Sequence, residues 1–318
     1  MKKILVTFDN FDKNCPEAYH LLQHHGFEFS LSQQPHCTRE QLYKNGADAD
    51  AIIAGLDTFD TDAFSHMPKL KILARMGVGF DRVDLEAARD AGIYVTTTRG
   101  GNAIAVAEQA LTGILLTYRN LHRLDGQLHG NIWTRYVGHE LSGKTVGLVG
   151  FGDIAQALAR LLSGFGVQIL ACRRQTAPSP AAEALGVTMT ELHQLLRESD
   201  VVSLHLPASP ENHHMFNAQT FAEMKPGAVF INTARGSLVD SQALLDTVRS
   251  GHIFGAVVDV YEAEPPAPTE PLLQDPRIIC TPHSASETAE AYAHCGNMIA
   301  RQILSVFAGR EPENWINR

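Results

Sequence analysis

The sequence predicts an α/β chain of two domains, each built on a parallel sheet, with the second domain inserted into the first. Three observations carry that expectation. Short apolar runs alternate with helical stretches, which suits parallel strands buried on both faces. A glycine-rich turn, Gly150-Phe-Gly152-Asp-Ile-Ala155, follows one of those runs and opens a helix. That turn falls in the middle of a 318-residue chain, so sequence for another domain lies on both sides of it.

Taken in order, residues 4–8 read as a strand and 15–25 as an amphipathic helix closed by Gly26. Residues 51–54 and 71–75 are short buried strands, 83–90 a helix ending before Gly92, and 93–96 a further strand. Such alternation predicts a flavodoxin-like sheet. Residues 102–118, rich in Ala, Leu and Ile, form a long helix; the more polar 122–140, with Trp133 and Tyr136, reads as an arm reaching toward a second subunit. Strands follow over 146–149, 167–172, 201–206, 228–232, 255–260 and 278–280, and 287–307 returns to helix that packs on the N-terminal domain. The expected architecture is two Rossmann-like domains: a flavodoxin-like substrate domain of 1–98 with 286–318, and an inserted dinucleotide-binding domain of 99–285.

Composition narrows the class. At 44% hydrophobic and 19% charged, the chain supports two ordinary cores. A formal net charge of −9 without a basic run argues against nucleic acid. No apolar stretch reaches spanning length and the N-terminus begins directly as a strand, so neither a membrane nor a secretory signal is expected. The 5 cysteines lack C-x-x-C spacing, which suits reduced thiols in cytoplasm. The adjacent pairs His24-His25 and His213-His214 would point apart on a strand and diverge on a helix, so no metal is assigned.

The glycine-rich turn carries chemistry. Gly150 allows a tight turn, Gly152 lets backbone approach a pyrophosphate, and Ala155 lets the helix pack close to the sheet. The helix N-terminus offers free N–H groups and positive dipole to phosphate. Beyond the turn, polar residues close several strands: His205, Arg235, Asp259 and His283. Ligands of open α/β sheets bind beyond the strand carboxyl ends, so these residues on one edge define a candidate site.

These residues resemble the D-isomer-specific 2-hydroxyacid dehydrogenase family. The matching segments run through nearly the whole chain: Arg75-Met-Gly-Val-Gly-Phe-Asp-Arg-Val-Asp84, Ala105-Val-Ala-Glu108, the fingerprint, Met224-Lys-Pro-Gly227, Asn232-Thr-Ala-Arg-Gly236, Asp259-Val-Tyr-Glu-Ala-Glu-Pro265 and Thr281-Pro-His283. The resemblance implies that His283 is the general acid/base, that Glu264 pairs with it, and that Arg235 clasps the substrate carboxylate and polarises its carbonyl. It implies substrate contacts from the backbone of Val78 and Gly79, and a nicotinamide carboxamide contact from Asp259. Gly150, Gly152, Asp153 and Ile154 would line the pyrophosphate, with Val106, His205, Pro207, Thr233 and Ala234 along the rest of the cofactor. The implied assembly is a homodimer.

Two departures from the family pattern sharpen the reading. Arg173 and Arg174 stand where recognition of the NAD ribose hydroxyl needs Asp or Glu; arginine instead pairs with a 2′-phosphate, so NADP(H) is the preferred cofactor, with NAD(H) possible. Asp153 places a carboxylate at the pyrophosphate turn, where it is expected to cap the following helix through its own side chain. The stretch 54–59 lacks the arginines that bind a substrate phosphate, although Arg75, Arg82 and Arg99 are at hand to supply charge. The expected substrate is a small unphosphorylated 2-keto acid such as glyoxylate or hydroxypyruvate. The chain's end at Arg318 leaves no room for an appended regulatory domain. D-3-phosphoglycerate dehydrogenase and a dinucleotide-sensing binding protein stay open as rival readings.

Overall fold

The computed structural model describes residues 1–34, 37–174 and 179–318. The chain divides into two compact units, Met1–Asn102 with Glu287–Arg318, and Ala103–Ser286. The first break therefore falls after Asn102 rather than after residue 98. Local packing explains the later position: Gly101 donates its N–H to Thr98, and a Cβ on Gly101 would lie 2.7 Å from Cys295 Sγ, so this turn nests against the returning helix of the first unit.

In the first unit, β1 (Lys2–Val6), β2 (Phe27–Leu31), β3 (Ala51–Ala54), β4 (Ile72–Arg75) and β5 (Tyr94–Thr96) form a parallel sheet. Its order is β2-β1-β3-β4-β5, the flavodoxin-like arrangement. β3 and β4 are buried along their whole length, as strands covered on both faces must be. β2 lies at the edge, and its Phe-Glu-Phe-Ser-Leu alternation buries one face only. The helix read over 83–90 is shorter, Leu85–Asp90. Val83 pairs with Phe59 in an isolated bridge, and the Asp84 carboxylate caps the helix by accepting from the N–H groups of Glu86 and Ala87. The last helix, Ala289–Phe307, starts at a Thr288 cap and buries Ile299, Ala300 and Ile303 in the core that holds Ile4, Val6 and Phe11.

In the second unit, seven parallel strands run in the order β12-β11-β10-β9-β6-β7-β8. They are β6 (Thr145–Val149), β7 (Gln168–Cys172), β8 (Thr188–Met189), β9 (Val201–Leu204), β10 (Ala228–Asn232), β11 (Ile253–Val258) and β12 (Ile278–Cys280). The order reverses between β6 and β9, which is the topological switch point of a doubly wound fold. On one face the helices Ala103–Arg119 and Asp153–Leu162 pack through small residues, Ala107, Ala110, Ala155 and Ala159. On the other, Phe216, Phe221 and Phe230 meet at ring separations of 5.1–5.8 Å. Truncating one such ring to alanine costs ~3–5 kcal/mol in a close-packed core. The polar stretch after residue 121 is half helix, Leu121–His129, and half irregular.

Candidate active site

Register builds the site. Cys172, Val149, Leu204, Asn232, Val258 and Cys280 are paired across neighbouring strands and form one row across the sheet. The next residue on each strand is therefore at the same carboxyl edge: Arg173, Gly150, His205, Thr233, Asp259 and Thr281. Parallel register, rather than sequence proximity, brings these six together, with neighbouring strands about 4.8 Å apart.

At the switch point the backbone is tight. Gly150 takes φ 96, and a Cβ there would lie 2.5 Å from the carbonyl oxygen of His205. Only glycine satisfies both conditions. By contrast, nothing lies within 4 Å of the Cβ position of Gly152, which leaves its backbone open to approach. Ala155 is fully buried. Asp153 departs from expectation. The residue at the cap of the helix is Gly152, so Asp153 occupies the first helical turn instead of the capping position. There a carboxylate meets the positive end of the helix dipole, which favours it electrostatically. Ile154 and Asp153 are half-buried.

Two further atoms on this edge fit a nucleotide ligand. His205 Nε2 and Thr233 Oγ1 are sealed from solvent and have no hydrogen-bond partner among the described residues. Burial pushes the His205 imidazole down to about 4, so it stays neutral at physiological pH. Arg173 is half-buried at the end of β7 and Arg174 is exposed beside it. Val106 is buried in the first helix of the unit, Ala234 is buried, and exposed Pro207 presents its carbonyl to Asn212 Nδ2 at 2.9 Å. The open glycine turn, the helix N-terminus and the two orphaned polar atoms together suit a dinucleotide.

The reactive groups lie on the same edge. His283 Nδ1 sits 2.9 and 3.0 Å from the two oxygens of Glu264, so the Nδ1 proton points at the carboxylate and Nε2 is the nitrogen left to exchange protons. The side chains are 29% and 14% exposed, a setting in which a charge-assisted pair is worth more than at a free surface. Glu264 Oε1 is steadied by the Tyr261 N–H at 3.1 Å. His283 itself adopts φ 51, a left-handed conformation. Its N–H donates to the Asp259 carbonyl at 2.7 Å.

The buried Asp259 carboxylate explains how that conformation is held. Oδ1 accepts from Thr281 Oγ1 at 2.6 Å and the Ser284 N–H at 2.8 Å, while Oδ2 accepts from the Ala285 N–H at 2.9 Å. Asp259 thus clamps the loop on both sides of His283. Asn232 does comparable work for Arg235. Its Nδ2 donates to the Arg235 carbonyl at 2.9 Å and its Oδ1 accepts from the Ala234 N–H at 3.0 Å. Neither clamp was visible in the sequence, although Asn232 and Thr281 both stand in the matched motifs. Gly236, next to Arg235, packs so closely on the Tyr261–Glu262 peptide that a Cβ would lie 2.0 Å from Tyr261 C. The Arg235 and Glu264 segments are therefore held together.

Val78 and Gly79 belong to the first unit. Their loop follows Gly77 at φ 131 and is tied down by Thr98, whose Oγ1 accepts from the Gly77 N–H at 2.9 Å. Arg75 is 6% exposed and donates to the carbonyls of Gly79 and Ala54, both at 2.9 Å. It braces the loop through these two carbonyls. Arg82 likewise donates to the Leu56 carbonyl at 3.0 Å.

A glycine-rich turn at the switch point, a carboxylate-held histidine and an arginine on one sheet edge define a nucleotide-dependent oxidoreductase. Comparison with known proteins agrees. The family model described as D-isomer specific 2-hydroxyacid dehydrogenase, NAD binding domain, matches residues 111–285. The chain is 35% identical over 303 residues to a glyoxylate reductase of Thermococcus litoralis, covering 92% of this chain and 91% of that protein. It is 37% identical over 282 residues to a D-3-phosphoglycerate dehydrogenase of Mycobacterium leprae, covering 88% of this chain and 53% of the relative, so it spans about half that relative's length. A solved D-lactate dehydrogenase from Escherichia coli superposes with a TM-score of 0.85 at 30% identity, over 99% of both chains. The protein belongs to the D-isomer-specific 2-hydroxyacid dehydrogenase family. It is an oxidoreductase of 2-hydroxy and 2-keto acids that uses a nicotinamide dinucleotide.

Among the described residues, no helix is long and apolar enough to cross a membrane. Outside the active site, His213 and His214 contradict the expectation that adjacent histidines point apart. Their rings stack at 3.9 Å with 23° between planes, because His214 adopts φ 49.

Proposed function

We propose that this protein reduces a small unphosphorylated 2-keto acid, of the glyoxylate or hydroxypyruvate kind, with NADPH as the preferred cofactor. The observation that carries the reading is the His283–Glu264 pair on a loop clamped by Asp259, at the sheet edge that also holds Arg235 and the glycine turn. The nicotinamide, when bound, supplies the hydride that converts the keto carbon to an alcohol. The chain's residues do the rest. Arg235, a planar fork of donors, holds the substrate carboxylate and draws charge onto the carbonyl oxygen. The backbone of Val78 and Gly79 contributes further N–H groups to that carboxylate. Glu264 fixes the ring of His283 through Nδ1, and Nε2 delivers the proton to the developing alkoxide. Val106, Gly150, Gly152, Asp153, Ile154, His205, Pro207, Thr233 and Ala234 are assigned to the cofactor, with the Asp259 backbone or its remaining lone pair facing the carboxamide.

Arg173, with Arg174, supports NADP(H), since it follows β7 directly at the position where an acidic side chain would accept from a ribose hydroxyl. Arg173→Asp should weaken NADPH far more than NADH in a direct binding titration. Equal losses would show that Arg173 meets no 2′-phosphate. The absence of arginine over 54–59, together with the inward-facing Arg75, favours an unphosphorylated acid. The decisive assay follows oxidation of NADPH and NADH separately with glyoxylate, hydroxypyruvate and phosphohydroxypyruvate. NADPH consumption with the first two is expected. Use of NADH with phosphohydroxypyruvate alone would replace this reading with a D-3-phosphoglycerate dehydrogenase, and no turnover with any pair would favour a dinucleotide-sensing protein.

A homodimer is part of the same proposal. Leu121, Leu128, Ile132, Trp133 and Val137 are each more than half exposed along one segment, an apolar surface that a second copy would cover. All five cysteines are free, which suits a reducing cytoplasm.

A further inference from the structure

We propose that His213, His214 and Glu262 form a binding site for a divalent transition-metal ion of the zinc kind on the surface of the second unit. One ligand atom from each residue lies within 4.8 Å of the other two. His213 Nε2 is 3.0 Å from Glu262 Oε1, and His214 Nε2 is 3.3 Å from Glu262 Oε2. Zinc–ligand bonds of roughly 2.0–2.1 Å at tetrahedral angles separate neighbouring ligand atoms by about 3.3 Å. Each imidazole nitrogen is therefore already about that far from one oxygen of the same carboxylate.

The backbone preorganises the cluster. Adjacent histidines face opposite ways in a strand, and here the left-handed turn at His214 folds one ring over the other so that both Nε2 atoms face one carboxylate. That turn is tied down: the His214 N–H donates to the Ser237 carbonyl at 2.8 Å, and its own carbonyl accepts from Asn217 Nδ2 at 3.2 Å. Glu262 is placed by the Tyr261–Glu262 peptide packed on Gly236.

The donor set selects the ion. Two imidazole nitrogens and one carboxylate suit zinc, nickel or copper, whereas calcium and magnesium seek oxygen. The side chains of His213 and Glu262 are each 51% exposed and that of His214 is 35% exposed, so the outward face is open to a completing water. Metal entry requires each ring to carry its remaining proton on Nδ1 and leave Nε2 bare.

The test is calorimetric titration of the full-length, tag-free protein with zinc chloride at pH 7.5, with the fold of each variant checked by circular dichroism. A single saturable site is expected. His213→Ala, His214→Ala and Glu262→Gln should each weaken it at least ~10-fold, as loss of a ligand in a three-donor site must. His193→Ala is the control. His193 Nδ1 pairs with Glu223 at 2.7 Å, but with one histidine only, so its loss should leave the titration unchanged. Excess magnesium should not compete. No saturable zinc binding by the parent protein, or binding unaltered in His214→Ala, would overturn the proposal; the latter would assign the ion to another group such as a cysteine.

Discussion

Two histidine–carboxylate assemblies stand on one loop, their glutamates two residues apart. At the first, Glu264 and His283 are 14% and 29% exposed and pair through Nδ1. At the second, Glu262 is 51% exposed and shared between His213 and His214. Both use a left-handed histidine, at φ 51 for His283 and φ 49 for His214, to aim a ring that ordinary backbone would direct elsewhere. The difference lies in what surrounds them. Asp259 and its hydrogen bonds lock the loop around His283, while the His214 turn of the second cluster is tied by Ser237 and Asn217. Burial and bracing suit the first assembly to the proton transfer proposed for it. Exposure and an extra nitrogen make a ligand set of the other.

The sharpest way to break that contrast is His283→Asn. Asparagine is among the residues that best tolerate a left-handed backbone, so the loop should keep its course while the ring is lost. Turnover should fall by about 10²–10⁴, the usual contribution of a positioned acid or base, with cofactor affinity nearly unchanged in a fluorescence titration. A variant that still reduces substrate at the normal rate would remove His283 from the mechanism.

Asp259→Asn tests the bracing itself and should cost less. The amide would turn an N–H₂ toward the Ala285 N–H or the Thr281 and Ser284 donors, leaving a buried donor unsatisfied at about 1–3 kcal/mol. A loosened loop misplaces the ring, and misplacement on the order of 1 Å costs roughly 10²-fold in rate. Steady-state kinetics together with a urea titration checks both, since the expectation is lower stability and lower turnover together. Full turnover despite lost stability would mean that the loop holds His283 without Asp259.

These cases also show which parts of the molecule can be read from its residues. Most of the parallel strands and the polar residues beyond their carboxyl ends are legible because those strands are short apolar runs and the site residues follow within three positions. β2 escapes the sequence reading because Phe27–Leu31 is a half-buried edge strand whose alternation buries a single face. The Asp259 clamp was missed because its donors lie 22, 25 and 26 residues downstream and reach it only through the register of β11 and β12. The stacked pair at 213 and 214 was missed for a different reason. A positive φ is signalled in sequence mainly by glycine, and here a histidine adopts it.

A third histidine completes the comparison, since His205 has no carboxylate at all. Its Nε2 is sealed in the second unit without a partner among the described residues, and burial lowers it from 6.5 to about 4. The sign of the effect on stability follows from which state takes up the proton. Between those two values the unfolded chain binds a proton at this position and the folded chain does not, so acid favours unfolding there. The contribution is intact above about pH 6.5 and is lost as pH falls toward 4. A shift of this size corresponds to something on the order of 3 kcal/mol. Asp275, held by Arg277 at about 2, loses its contribution only below its ordinary value of 3.8, outside that window. Urea unfolding midpoints at pH 7.5 and pH 5 should therefore drop less in His205→Gln than in the parent. An identical drop in both proteins would mean that His205 takes up its proton in the folded state as readily as in the unfolded one, and that its burial carries no electrostatic cost.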